Sequence, residues 1–217
     1  MNKADVIKQI IETGVIPVVR ATSADEAMRA IDAIREGGIS VLEITMTVPG
    51  AVGVIEQLSK KYGNDVLVGA GTVLDPETAR ACMLSGAQFV VSPALNVETI
   101  ACCRRYGVVI MPGALTPTEV VQAWTAGADF VKVFPAGALG GASYLKALKA
   151  PLPQIQLVPT GGVSLKTAAD FIKAGASALG VGADLVDLKA IRDGQANVIT
   201  ERAKQFVEIV REARSSS

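Results

Sequence analysis

The sequence predicts an α/β fold, a closed (β/α)8 barrel, from three observations. Short, almost wholly apolar runs recur along the 217 residues. Amphipathic stretches long enough for helices separate them, and similar glycine turns lead back into the next run. Runs without a polar face suit parallel strands covered by helices. Eight of them close into a barrel and leave no edge. An open parallel sheet uses the same periodicities and stands as the alternative.

Residues 3–13 read as an amphipathic helix placed to cover one end of the barrel. The first strand is 15–20, followed by a helix over 23–36. The second strand runs from 41 to 47, and Pro49 opens a helix toward Lys61, where its missing donor is harmless. Strand three is 66–73, and Asp75-Pro76-Glu77 starts the next helix. Runs at 89–94, 108–114, 130–136, 155–160 and 178–181 complete the eight. Turns such as Ser85-Gly86-Ala87 and Ala174-Gly175-Ala176 end helices and aim the chain into a strand. A last helix covers 195–213, and 214–217 read as a frayed tail. No linker interrupts the series, so 1–217 reads as one domain.

Composition narrows the function. Half the chain is apolar and 19% is charged, which supports a sizeable core. The formal charge is 0 and aromatic residues make up 4%, which disfavours a general nucleic-acid binder. Histidine is absent, so histidine acid–base chemistry and histidine metal sites are excluded. Cys82, Cys102 and Cys103 form no disulfide framework, and the adjacent pair fits core better than metal. No segment suggests a secretory leader or a membrane span, so the expected setting is cytoplasmic. Trp124 reads as packing against the sheet.

Chemistry gathers at the strand ends, where a βα barrel carries its active-site mouth. Lys132 sits in Phe130-Val131-Lys132-Val133-Phe134-Pro135-Ala136, a run in which a charged amine is costly unless paired or functional. Burial favours a neutral amine, and a neutral amine can attack a ketone to form an imine. Glu43, in Leu42-Glu43-Ile44-Thr45, is the matching carboxylate; it can move protons during imine formation or hold Lys132 electrostatically. A lysine merely paired to Glu43 is the structural alternative.

Arg20 suits a carboxylate or phosphate, or a surface ion pair. Thr72 and Thr160 offer hydroxyls to substrate, to water or to their own strand ends, while Pro93 and Phe134 read as cavity walls. Gly161-Gly162, with Gly180 and Gly182 after the eighth strand, suit an anion cradle or ordinary packing turns. Gly137-Ala138-Leu139-Gly140-Gly141 lacks a Walker lysine, and Gly69-Ala70-Gly71 is no complete dinucleotide fingerprint.

Taken in order from about residue 5 to 210, these segments resemble the 2-keto-3-deoxy-6-phosphogluconate (KDPG) and 4-hydroxy-2-oxoglutarate (KHG) aldolases. The resemblance rests on Gly14 to Arg20, Leu42 to Thr45, Gly69 to Val73, Val91-Ser92-Pro93, Met111-Pro112-Gly113, Val131 to Ala136 and Pro159 to Val163. It implies a class I aldolase barrel that reversibly cleaves a 2-keto-4-hydroxy acid to pyruvate and an aldehyde. KDPG is the first expected substrate, with KHG and the phosphogalactonate epimer as alternatives. It further implies that Lys132 forms the imine and Glu43 moves protons, with Arg20, Thr72, Pro93, Phe134 and Thr160 around the substrate. Gly161 and Gly162 match the phosphate-binding turn. No metal or organic cofactor is expected beyond the covalent lysine imine, and a homotrimer is. Thr47 stands where the family usually has an arginine, and Ala183 where it has a phosphate-binding serine. A noncatalytic phosphometabolite-binding barrel is the reading from another class.

Overall fold

A computed structural model of the chain describes residues 1–215. Its strands are β1 (Val15–Val19), β2 (Val41–Thr45), β3 (Leu67–Gly71), β4 (Phe89–Val91), β5 (Val109–Met111), β6 (Gly113–Ala114), β7 (Val131–Val133), β8 (Leu157–Pro159) and β9 (Leu179–Val181). The helices are α1 (Lys3–Thr13), α2 (Ala24–Glu36), α3 (Ala51–Tyr62), α4 (Pro76–Leu84), α5 (Val97–Arg105), α6 (Pro117–Ala126), α7 (Ala142–Lys149), α8 (Ala168–Lys173), α9 (Leu188–Arg192) and α10 (Asn197–Ser215). Each expected strand is present but shorter, the fifth of them in two pieces.

Every ladder is parallel, in the orders β5-β4-β3-β2-β1-β9 and β6-β7-β8. Two joins turn these arcs into one ring. On one side the fifth expected strand is split at Pro112, which has no N–H for a ladder. β5 pairs with β4, β6 pairs with β7, and the Lys132 amide donates to the Pro112 carbonyl at 2.9 Å. On the other side Thr160 bridges Gly180, and the Ser177 amide donates to the Leu157 carbonyl at 2.9 Å. The chain is therefore a (β/α)8 barrel, and the open sheet is set aside.

Inside the barrel, Ile16, Val41, Leu67, Phe89, Val109 and Phe130 pack with Val6 and Ile10 of α1, which closes the end where the strands begin. Gly69 makes room for this packing, since a Cβ there would stand 2.2 Å from the Phe89 ring. A second apolar layer lies between the strands and the outer helices. Asp75 caps α4, accepting from the Thr78 amide at 2.6 Å, and Thr116 with Glu119 forms a capping box on α6.

Three expectations are corrected. α3 begins at Ala51, because Gly50 at φ +69° is its N-cap and leaves Pro49 outside the helix. Trp124 is 46% exposed, since α6 buries Val120 and Ala123 and leaves 124 at the rim. The tail is not frayed from 214: α10 continues to Ser215, and Arg214 donates to the carbonyls of Glu12 and Ser177, both at 3.0 Å. Residues 216–217 lie outside the described residues.

Candidate active site

Alternation along β2 turns Glu43 and Thr45 to the inside of the barrel, and on β7 the same alternation turns in Lys132 between Phe130 and Phe134. Both charged groups are almost fully covered, with Glu43 at 2% exposure and Lys132 at 3%. Gly71, next along the sheet, creates the space for the carboxyl: a Cβ there would come within 1.9 Å of Glu43 Oε1. Lys132 pairs in register with Gly113 and Val158, and its Nζ lies 5.3 Å from the centroid of the Phe134 ring.

Among the described residues, no ion pair or hydrogen bond engages the amine of Lys132 or the carboxyl of Glu43, and Glu43 Oε1 is buried without a partner. The alternative of a lysine paired to Glu43 is therefore not the arrangement present. An unpartnered buried polar atom is destabilising by about 1–3 kcal/mol, and more when charged. Glu43 Oε1 is such an atom inside the barrel, which makes this carboxyl a candidate functional group.

The mouth above them is built from the residues that follow the strands. Arg20 is exposed just past β1, and its Nη1 would lie 3.2 Å from a Cβ on Gly182. Thr72, past β3, holds φ at +58°, a strained setting for a branched residue that functional sites tolerate. Pro93 follows β4 and abuts Gly113, whose missing Cβ would meet the Pro93 carbonyl at 2.2 Å. Thr160 follows β8 at 4% exposure, and Gly180 leaves room for its hydroxyl. Gly161 and Gly162 both lie in the left-handed region, at φ +83° and +78°. The Gly161 carbonyl accepts from the Gly137 amide at 2.9 Å, so this turn is stitched to the one after β7.

Past β9, Ala183 is exposed and carries no hydroxyl to donate to an anion. It borders a surface cavity of about 820 Å³ lined also by Ser164, Lys166, Asp184, Asp187 and Arg202, beside the mouth and apart from Lys132 and Glu43. Thr47, exposed past β2, is 2.6 Å from the hydroxyl of Thr45, which in turn donates to the Val19 carbonyl at 3.1 Å.

Thr45 and Glu26 are buried polar residues that the sequence reading did not single out. Thr45 is fully buried, and its place two residues after Glu43 was the available signal. Glu26, at 6% exposure, accepts from the amide and hydroxyl of Thr22 and from Arg192, which fixes the loop after Arg20. Burial alone would raise the Glu26 pKa, but these bonds outweigh it and hold the carboxyl below the usual glutamate range. Burial, seconded by the charge of Asp75, pushes the Cys82 thiol up to about 11, and burial pushes Cys103 up to about 12. Neither is a thiolate nucleophile at neutral pH. Among the described residues, no group of three or more acidic or cysteine side chains is placed to hold a metal ion.

The family model described as KDPG and KHG aldolase matches residues 6–202. A 2-dehydro-3-deoxy-6-phosphogalactonate aldolase of Escherichia coli is 38% identical over 200 residues, covering 91% of this chain and 95% of that protein. A 2-dehydro-3-deoxy-phosphogluconate aldolase of Treponema pallidum is 36% identical over 196 residues, covering 90% of this chain and 93% of the other. Among solved structures, the KDPG aldolase of Legionella pneumophila, with pyruvate captured as a covalent carbinolamine, superposes with a TM-score of 0.85 at 30% identity; the match covers 91% of this chain and 96% of that one.

Proposed function

The chain belongs to the KDPG and KHG aldolase family, and from that premise we propose how its own residues carry out the reaction. It is a class I, pyruvate-dependent aldehyde-lyase acting on a 2-keto-4-hydroxy acid, with KDPG the first substrate. The observation that carries the residue assignment is Lys132, buried in the barrel with no ion-pair partner among the described residues.

In this reading the neutral amine of Lys132 attacks the C2 ketone, and the carbinolamine loses water to give a protonated imine. Glu43 takes the proton of the C4 hydroxyl. The C3–C4 bond then breaks, its electron pair moves toward the iminium nitrogen, and the aldehyde leaves. Reprotonation of the enamine at C3 and addition of water release pyruvate and restore the amine. Glu43 is the group beside these steps that can alternate between acid and base. Arg20, Gly161, Gly162, Gly180 and Gly182 form the anion-binding side of the mouth, while Thr72, Pro93, Phe134 and Thr160 enclose the keto acid. The covalent carbinolamine of the Legionella protein supports imine chemistry at this barrel mouth.

Pyruvate and borohydride, followed by peptide mass spectrometry, test the assignment. A reduced pyruvate adduct is expected on Lys132, and an unmodified Lys132 in folded protein would remove it from the mechanism. Thr47 supplies no cation and Ala183 no hydroxyl for a phosphate, which argues against a phosphosugar, while the phosphogalactonate relative favours the epimer as a second reading. Pyruvate release from KDPG, its galactonate epimer and KHG, run in parallel, separates these substrates.

The proposal extends to the assembly and its setting. Leu84, Tyr106, Val121 and Trp124, on and beside α4–α6, are exposed apolar side chains that a homotrimer would cover, and light scattering in solution checks the mass. No described helix is long and apolar enough to cross a membrane. Three unpaired cysteines fit a reducing cytoplasm, with the whole chain acting as one domain.

A further inference from the structure

We propose that Glu26 is a positioning residue for substrate binding, which fixes the backbone beside Arg20 so that the guanidinium stands ready for an anionic oxygen pair of the substrate. The inference rests on the aldolase reading above. Arg20 is exposed, and among the described residues no ion pair or hydrogen bond engages its side chain. A long side chain loses rotamer freedom when it binds, so order already built into its anchorage lowers that cost.

The anchorage is held on both sides. Before Arg20, Val19 is fully buried, and its carbonyl accepts from the buried Thr45 hydroxyl at 3.1 Å. After it, Ala21 is buried, and Thr22 gives both its amide and its hydroxyl to Glu26 Oε2, at 2.7 and 2.8 Å. The other oxygen, Oε1, accepts from Arg192 Nε at 2.7 Å. Three residues along α2 and on the same face, Arg29 donates to the Ile191 carbonyl at 2.6 Å. Glu26 and Arg29 thus hold the end of α9, the helix that follows the Gly182 turn. Arg20 lies against that turn, its Nη1 3.2 Å from where a Cβ on Gly182 would stand. The loop that carries Arg20 and the segment after Gly182 are therefore tied to one helix by a carboxylate that the Lys132 chemistry does not use. Serving both sides takes two accepting oxygens. A glutamine has one, and its amide nitrogen can only donate.

The test is aldol addition of pyruvate to D-glyceraldehyde 3-phosphate by the full chain, with the KM of each measured at saturating levels of the other. KM does not depend on how much of the protein is folded, so a merely structural loss lowers the apparent kcat and leaves KM alone. Arg20→Met is expected to raise one of the two KM values about tenfold, the scale of a lost hydrogen bond to a charged group. Glu26→Gln is expected to raise that same KM about three- to tenfold, and the double variant to match Arg20→Met alone. An unchanged KM in Glu26→Gln, or a double variant in which the two effects multiply, overturns the proposal. Arg20→Met with both KM values unchanged overturns it too, yet leaves the aldolase reading standing if borohydride still traps pyruvate on Lys132. A wild-type protein that traps no pyruvate fails differently, sinking that reading together with this inference.

Discussion

Glu43 and Gly71 divide one task between two strands. The carboxyl reaches its position only because its neighbour has no side chain, and the clearance a methyl would need is missing by a wide margin. Gly71→Ala is expected to displace the carboxyl and reduce kcat at least tenfold, while circular dichroism still reports a barrel. Retention of full kcat would show that Glu43 has freedom to move that the packing denies. Glu43→Gln keeps the shape and removes the titratable oxygen. We expect kcat to fall by about 10²–10⁴-fold, the range for losing a general acid–base group, with a smaller change in the KM for pyruvate. Turnover equal to wild type would strip Glu43 of proton transfer. At this scale the sequence was most readable for Lys132 and Glu43, since a charge inside an apolar run is conspicuous. Thr45 was not conspicuous, because threonine is common in strands and only the coordinates reveal its bonds to Val19 and Thr47.

The loop from β1 into α2 presents Arg20, and its firmness comes from Glu26 in the first turn of the helix. That carboxylate gathers three donors, two from Thr22 and one from Arg192 at 2.7 Å, and so ties the loop to α9. Arg192 is itself 57% exposed, so the ion pair contributes less than the two bonds to Thr22. Glu26→Gln is expected to cost about 1–2 kcal/mol of stability at neutral pH. The sign of its pH dependence follows from the lowered carboxyl. The folded state binds the proton more weakly than the unfolded chain, so this contribution is complete above the ordinary glutamate range and disappears as pH falls through the depressed value. Urea midpoints of the two proteins should therefore converge on acidification; a constant gap would mean that the variant acts through packing alone. The helix start marked by Asp75 and Pro76 was legible in the sequence. The start at Ala51 was not, because it depends on Gly50 entering the left-handed region, and the proline beside it was the louder local signal.

Across the whole molecule, the count of eight strand positions could be read from apolar runs, whereas closure could not. Closure depends on β1 pairing with β9, Val15 beside Leu179, from opposite ends of the chain, and no local pattern encodes that register. The barrel that results separates stability from chemistry by placing them at opposite ends. Where the strands begin, α1 inserts Val6 and Ile10 among Ile16, Leu67, Phe89 and Phe130; where they end, glycines and short polar residues leave the mouth open. Ile10 is fully buried, so Ile10→Ala removes packing at the closed end, at an expected cost of about 2–5 kcal/mol. The denaturation midpoint should drop accordingly, while the folded fraction keeps the KM of wild type for both pyruvate and aldehyde. A raised KM in protein shown to be folded would mean that the plug transmits its packing through the barrel to Lys132. The layer between them, with Val158 beside Lys132 in register and packed in the same cluster as Ile10, is the route that coupling would take.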